Sequence, residues 1–499
     1  MELHPLEKLL LFLAGAHLCL LPWMFGAMHV WSQLASLGLA FAGFAVALLP
    51  RRHAEVRAPG GGTLTVPMWP RLLRFPVFWL GLPLLGYMLV QALNPESAYT
   101  VTGYLSYGRP LYKWTLAPLA YVEWLPSGVA APLTDAEMGT WRALLIYGQA
   151  WLVACAMWTG ITRRSSIVGL LTAVVVNAAV FAAVGIAQRF ANSLDMLWFL
   201  PAPRHVSYWF AGIIYKNHAG AYMNLAAAIS TGLLCRHIGR GDGARGRPAP
   251  LFALFNILLG IAIFITQSRG AFFLFAAYTA LSLPVIIVRG IRARDGGRVG
   301  IVVFAAVAAV LIPAAVLSMR FLDIKQYTPR YESLLKKWAE DRWTEDASYV
   351  LREKTREITL EMAKDRLWLG WGAGSFRYIY PSYARRLHPE VLGAPGRDRR
   401  WEYAHNDYVQ FLAEFGVVGS SLAALLLGSG LVQLIRRRFW RYPHIALMFL
   451  GLLVTLAHCW VDFQSHNPAI LLLWCGAAAL LVRWAGFEGY LRHRRSSPD

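Results

Sequence analysis

Long runs of apolar residues recur along the chain, and each is close to the ~20 residues that a helix needs to cross a bilayer. Short polar or glycine-rich connections separate most of them. Twelve such segments occur, near residues 6–25, 31–50, 75–93, 142–160, 166–187, 218–235, 250–266, 270–288, 299–319, 405–434, 443–461 and 468–484. The pattern predicts an all-α, polytopic membrane protein with about 12 transmembrane helices.

Composition supports the prediction of a membrane protein, and the placement of charges predicts its orientation in the membrane. Of the 499 residues, 57% are hydrophobic and only 15% are charged, which is too apolar for a soluble domain. The alternate connections and the C-terminal tail carry 23 Lys and Arg, whereas the other short connections carry 6. By the positive-inside rule both termini are cytoplasmic, and the net charge of +20 is a topology signal. We therefore expect no nucleic-acid partner.

One connection differs from the others and divides the chain. Residues 320–404 contain 17 Lys/Arg and 13 Asp/Glu, and loops beyond ~60 residues escape the charge rule. The predicted domains are 1–319 (spans one to nine, with an outer segment at 94–140), the large outer loop 320–404, 405–484 (spans ten to twelve) and a basic cytoplasmic tail, 485–499.

The large loop contains an amphipathic helix. Leu351, Thr355, Ile358 and Met362 recur at helical spacing, opposite a charged face that runs between Arg352 and Arg366. Such a helix either lies on the membrane surface or covers a cavity.

The tenth span opens with an unusual polar stripe. Asp407, Gln410 and Glu414 are spaced i, i+3, i+7 on one helix face just after His405. Polar groups facing lipid are costly, so this stripe should face protein or a watery cavity. Gly416 and Gly419 follow, where small residues allow another helix to approach closely.

Further polar clusters fall on the same outer side. They are Ile213–Gly220, Thr266–Ala271, His405–Asn406 and the group from His458 to Asn467, with Arg189 and Arg204 in the loop before span six. Cations and imidazoles beside helix N-termini suit an anion such as a diphosphate.

Each cluster also has a plainer reading. Arg269 could snorkel to the interface, Lys216 could anchor a lipid headgroup and His218 could cap or pack a helix. His458, Asp462 and His466 suggest metal ligands, but hydrogen bonding explains them better because their spacing lacks HExxH-like regularity. The Gly370, Gly372, Gly374 turn lacks the Lys-Ser/Thr of a P-loop.

Four motifs in order resemble one family. His405-Asn406, nine residues and then Gly416-Val417-Val418-Gly419 resembles the histidine motif of O-antigen ligases and related polymerases. Tyr215–Gly220, Ser268–Ala271 and Asp365–Phe376 are similar to the same superfamily, over roughly residues 200–480.

The resemblance implies a GT-C-like, metal-independent, inverting glycosyltransferase of the bacterial inner membrane, without a cofactor. Its donor would be an undecaprenyl-diphosphate-linked glycan at the periplasmic face, and its acceptor a lipid A-core or a second lipid-linked glycan. By the family's motifs, His405 is the catalytic base and Arg269 binds the diphosphate. Arg204 and Lys216 are the cations offered for the second diphosphate contact, because no arginine lies close before Gly212. Asn406, Asp407, Gln410, His218 and Asn217 are expected to support the site.

Several functions remain open at this point. O-antigen ligase, O-antigen or exopolysaccharide polymerase and protein-glycosylating enzymes share these motifs, and the short tail after Trp484 disfavours the last. A flippase for lipid-linked oligosaccharides is the rival from another class. Transport predicts ionisable residues near the middle of the bilayer, whereas here they lie mostly at the outer ends of spans.

Overall fold

The computed structural model describes residues 3–54, 63–106, 109–201, 209–238, 248–292, 333, 336, 340, 346–393 and 400–496. Helices α1 to α14 in these ranges are Pro5–Leu20, Val30–Leu48, Trp69–Leu73, Pro76–Leu93, Thr140–Gly160, Arg164–Phe190, Lys216–Ile238, Ala249–Ile265, Arg269–Ile291, Ala347–Asp365, Phe376–Leu387, Asp407–Arg436, Pro443–Cys459 and Pro468–Ser496. The protein is mostly helical, as predicted.

Each predicted span except the ninth coincides with one of these helices. Seven of them are long and apolar enough to cross a membrane, namely α2, α4, α5, α6, α9, α12 and the Pro468–Tyr490 part of α14. Helices α8 and α13 are shorter apolar helices. The predicted span at 299–319 lies outside the described residues. A multi-pass membrane protein is supported, and the count of twelve spans stays a prediction.

The expectation of an all-α fold is wrong for the outer segment 94–140. Its strands β3 (Pro95–Ser106) and β4 (Arg109–Pro118) pair antiparallel, and β5 (Gly128–Ala130) adds in parallel to β3. Strand β3 contains tyrosine, threonine and valine, which are residues that favour extended strands. Two smaller pairs are β1 (Arg51–Ala54) with β2 (Thr63–Val66), and β6 (Asp195–Met196) with β7 (Leu200–Pro201).

The amphipathic helix predicted in the large loop is α10, and it is packed rather than free. Thr355, Ile358 and Met362 are completely buried. With α11 and β5 they form a small core that also includes Ala413 at the start of α12. Ion pairs extend this contact, since Arg366 Nη2 donates to Glu96 Oε2 at 2.9 Å. The loop segment, here residues 346–393 and 400–404, is therefore docked on the membrane helices.

Gly416 breaks α12 instead of presenting a surface for a neighbouring helix. Its φ of +61° and ψ of −170° interrupt the helix. The turn that precedes α11 enters this break: Trp371 N donates to Ala413 O at 2.9 Å, and Gly372 N donates to Glu414 O at 2.8 Å. Backbone groups freed by a broken helix need such partners at membrane depth.

The fit at this junction requires glycine on both sides. A Cβ on Gly370 would lie 2.4 Å from Glu414 O, and one on Gly416 would lie 2.3 Å from Trp368 O. Both glycines also have positive φ, which L side chains rarely adopt. The close approach predicted at Gly416 is thus real, but its partner is a loop turn and not a helix.

Candidate active site

A cleft of about 850 Å³ opens between the loop segment and the ends of the membrane helices. Helices α9 and α10, the turn before α12 and the turn after α13 supply its walls. Its lining residues are Arg269, Gly270, Phe273, Asp346, Ser348, Tyr349, Arg352, Glu353, Arg356, His405, Asn406, Trp460 and Val461. The two residues given the leading roles by the family motifs, Arg269 and His405, therefore line one cavity.

His405 is held by a carboxylate behind it. Its Nδ1 lies 2.9 Å from Oδ1 of Asp462, in the turn between α13 and α14. The ring packs edge-on against Trp401 and Phe463, with centroids 5.7 and 5.0 Å away. Within the part of the chain that the structure describes, Nε2 has no hydrogen-bond partner. A buried anion on one nitrogen fixes the tautomer and leaves the other nitrogen as the reactive one.

The backbone at His405 contributes to its position. His405 has a φ of +55°, in the left-handed region that non-glycine residues seldom occupy. The next residue, Asn406, caps α12, because its Oδ1 accepts from the amides of Tyr408 and Val409 at 3.1 and 3.2 Å. The turn thus lifts the imidazole out of the helix and into the cleft, a type of strain common at functional sites.

Asp462 is buried, with 1% of its side chain exposed, and it accepts several hydrogen bonds. Tyr215 OH donates to Oδ2 at 3.2 Å, the Asn217 amide donates to the same oxygen, and Phe463 N donates to Oδ1 at 3.1 Å. Burial alone would raise the pKa of Asp462, but the His405 hydrogen bond and the Arg352 charge hold it well below its ordinary value. The carboxyl is therefore an anion at neutral pH.

Arg269 meets a carboxylate from the loop segment. Its Nη1 donates to Oδ2 of Asp346 at 3.0 Å, and its Nη2 donates to Oδ1 at 3.2 Å. Asp346 also caps α10, accepting from Ser348 N at 3.0 Å and Tyr349 N at 3.3 Å. The Arg269 hydrogen bonds lower the pKa of Asp346. This forked pair joins the membrane turn to the loop helix across the cleft.

The polar stripe of α12 faces protein, as predicted. Its residues lie beneath the cleft surface and stabilise the surrounding segments through hydrogen bonds. Asp407 Oδ1 lies 2.9 Å from His466 Nδ1, and Gln410 Nε2 donates to Glu414 Oε1 at 3.0 Å. Glu414 accepts from Gly374 N and Phe376 N at 3.0 and 3.2 Å, at the start of α11. All three stripe residues are buried and none lines the cleft.

The remaining predicted site residues divide into two groups. Asn217 contacts Asp462, whereas His218 is 2% exposed and packs, with Nε2 3.3 Å from Phe463 O. Lys216 begins α7 and does not line the cleft. Arg204 lies outside the described residues. Among the described ranges no group of three or more His, Cys, Asp or Glu is arranged to hold a metal ion.

Three residues of the site were not among the predicted ones. Asp462, Asp346 and Arg352 all approach Arg269 or His405. The sequence held partial signals: Asp462 stands in the outer polar turn, and Arg352 opens the charged face of the amphipathic helix. Their pairing depends on tertiary packing, because Asp462 is 57 residues from His405 and Asp346 is 77 from Arg269.

Fold and site together define a helical membrane protein with a cationic, imidazole-bearing cleft at one end of its bundle. Residues 254–424 match the family model described as O-antigen ligase. The match includes Arg269, α10 and His405, and it confirms the resemblance to the O-antigen ligase and polymerase superfamily. It implies a glycosyltransferase-like membrane enzyme that uses lipid-linked glycans. No curated protein matches the chain.

Proposed function

We propose that this protein transfers a glycan from undecaprenyl diphosphate to an acceptor hydroxyl, as an O-antigen ligase or polymerase of the bacterial inner membrane. The observation that carries the proposal is that Arg269 and His405 line the same cleft, with family motifs around both. A transferase needs a leaving-group side and a base side within one cavity.

Arg269 forms the leaving-group side. Displacement at the anomeric carbon breaks the bond to the phosphate oxygen, so negative charge grows on the departing diphosphate. A guanidinium offers two parallel donors that match phosphate oxygens, and Arg269 already binds a carboxylate in this forked way. Charge placed where the transition state develops it lowers the barrier.

His405 forms the base side. As the acceptor oxygen bonds to the anomeric carbon, its proton passes to Nε2 of His405. Nδ1 is hydrogen-bonded to Asp462, whose negative charge stabilises the imidazolium that results. Asp462 is a positioning residue here, since it touches the base and not the substrate. In-line attack opposite the leaving group inverts the anomeric configuration.

The membrane arrangement fits a lipid-linked donor. Helices α9 and α12 begin at the cleft, so a diphosphate held there would leave its polyprenyl chain in the bilayer. The charge count along the chain supports a periplasmic location for this end of the bundle. The same features suit a lipid A-core acceptor and a second lipid-linked glycan equally, so ligase and polymerase are both retained.

Reconstitution tests the proposal. The purified protein in lipid vesicles is mixed with an undecaprenyl-diphosphate glycan and with each candidate acceptor in turn. A chelator in the buffer removes divalent metal ions. We expect glycan transfer by the parent and none by the double variant His405→Ala/Arg269→Ala. Equal transfer by the double variant would refute the site assignment. Movement of the glycan lipid across vesicles without any transfer would instead support the flippase.

A further inference from the structure

The cleft contains a second cation that the family motifs did not assign. Arg352 lies on α10, one turn and a half beyond Asp346, and lines the same cavity as Arg269 and His405. Its side chain is 32% exposed. Its nearest carboxylate oxygen is Oδ2 of Asp462, 3.8 Å away, which is beyond hydrogen-bond distance. That oxygen already accepts from Tyr215 and Asn217.

The other arginine on this helix face, Arg356, differs from Arg352 in having a hydrogen-bonded carboxylate partner. Arg356 also lines the cleft, but it is paired with Glu353 on its own helix through two hydrogen bonds. Those two charges cancel locally. Arg352 therefore brings a guanidinium into the same cavity as Asp346 and His405, and the carboxylate nearest to it, Asp462, does not line that cavity.

Asp346 occupies the position that an anionic ligand of Arg269 would take. Both of its oxygens accept from the Arg269 guanidinium, in the geometry that phosphate also adopts. A diphosphate cannot use these donors until the carboxylate leaves them. The pair is 17% and 16% exposed, so an incoming anion can reach it.

We propose that Arg352 is the second cation for the donor diphosphate and that Asp346 is an internal anion displaced from Arg269 when the donor binds. The proposal rests on the proposed function for the identity of the anion. It replaces Arg204 and Lys216 as the second cation, and it makes α10 part of the donor site. One diphosphate then bridges α9 of the membrane domain and α10 of the loop segment.

Calorimetric titration of inorganic pyrophosphate tests this on the full-length protein in phosphatidylcholine nanodiscs. Arg352→Ala should weaken pyrophosphate binding about tenfold, since one charged contact contributes roughly that much. Arg352→Lys should recover part of the affinity. Asp346→Asn should tighten binding about threefold, because asparagine caps a helix as well as aspartate does but does not compete for Arg269 as an anion.

The two substitutions, Arg352→Ala and Asp346→Asn, should change pyrophosphate affinity in opposite directions. A merely structural role for these residues would not produce that result. Lys364→Ala, at the far end of α10 and bound to Glu361, serves as the charge control and should leave binding unchanged. Unchanged affinity in Arg352→Ala, weaker binding in Asp346→Asn, or no binding by the parent would overturn the proposal. Thermal unfolding of each variant verifies that it is folded.

Two further arms identify the source of the phosphate. In the first, the nanodiscs are made of phosphatidylglycerol. Loss of pyrophosphate binding in this lipid would show that the cations bind a lipid headgroup, and it would overturn their assignment to the donor diphosphate. Pyrophosphate binding with the predicted signs but without glycan transfer would refute the proposed function and leave the anion site standing. Full transfer by Arg352→Ala with unchanged pyrophosphate affinity would refute the role of Arg352 and leave the proposed function standing.

Discussion

Two buried carboxylates, Asp462 and Glu7, differ in their surroundings in an instructive way. Asp462 lies in the turn between α13 and α14 and accepts a hydrogen bond from Asn217 at the start of α7. Glu7 lies on α1 and accepts a hydrogen bond from Ser166 at the start of α6.

Glu7 has only internal partners. It accepts from Arg51 at 2.7 Å, from Thr162 N at 3.0 Å and from Ser166 Oγ at 2.7 Å. Glu7 and Arg51 are 1% and 2% exposed. The charges of Glu7 and Arg51 neutralise each other, so neither of them is left to act on a ligand. Arg51, one of the 23 Lys and Arg counted above as topology signals, is also a structural residue.

Asp462 is equally buried, but two of its partners are partly exposed. The side chains of His405 and Arg352 are 21% and 32% exposed, and both line the cleft. The difference teaches a general distinction. A buried acid whose partners are also buried stabilises the fold. A buried acid whose partners face a cavity positions those partners for chemistry.

The largest expected effect is on catalysis and comes from Asp462→Asn. Without the carboxylate, His405 loses both its tautomer preference and the anion that stabilises its protonated form. We expect the kcat of glycan transfer to fall about 10³-fold, roughly 4 kcal/mol of transition-state stabilisation. Steady-state transfer assays measure this. A kcat within threefold of the parent would show that Asp462 does not position the base.

Next comes Glu7→Ala, which should affect stability and not chemistry. Removing one member of a buried pair leaves Arg51 uncompensated, which costs about 3 kcal/mol in the free energy of unfolding. Denaturant unfolding in detergent measures the loss, and transfer per folded molecule should stay at the parent level. A reduced kcat with unchanged stability would contradict the contrast between Glu7 and Asp462.

Sequence patterns anticipated the helices better than the contacts between them. Apolar runs located the described spans because hydrophobicity is a local property of the chain. The motif around His405 and the cation at Arg269 were likewise found locally. By contrast, the Asp462 and Asp346 contacts join distant segments, and no periodicity encodes which of several carboxylates will reach a given partner.

Gly416 shows a second limit. Its spacing from Gly419 suggested a smooth helix surface, because the small-residue rule assumes an unbroken helix. The positive φ of Gly416 breaks that assumption, and the Gly370 turn fills the gap. Two glycine motifs that seemed independent in the sequence are therefore the two halves of one junction.

The smallest expected effect is a pH dependence of stability at Asp462. Its pKa in the folded protein is lowered, so its contribution to stability is present above the ordinary value near ~4 and is lost as pH falls through the folded pKa. The difference in melting temperature between the parent and Asp462→Asn should shrink as the pH falls below about 4. Tryptophan fluorescence follows the unfolding. A difference that persists unchanged at pH 3 would contradict the lowered pKa.

The central claim is that His405 acts as base and Arg269 holds the leaving group, and one paired measurement tests it. Transfer kcat and donor affinity are determined for His405→Ala and Arg269→Ala. We predict that His405→Ala lowers kcat at least 100-fold with donor affinity within threefold of the parent, while Arg269→Ala weakens both. Transfer by His405→Ala at the parent rate would contradict the account.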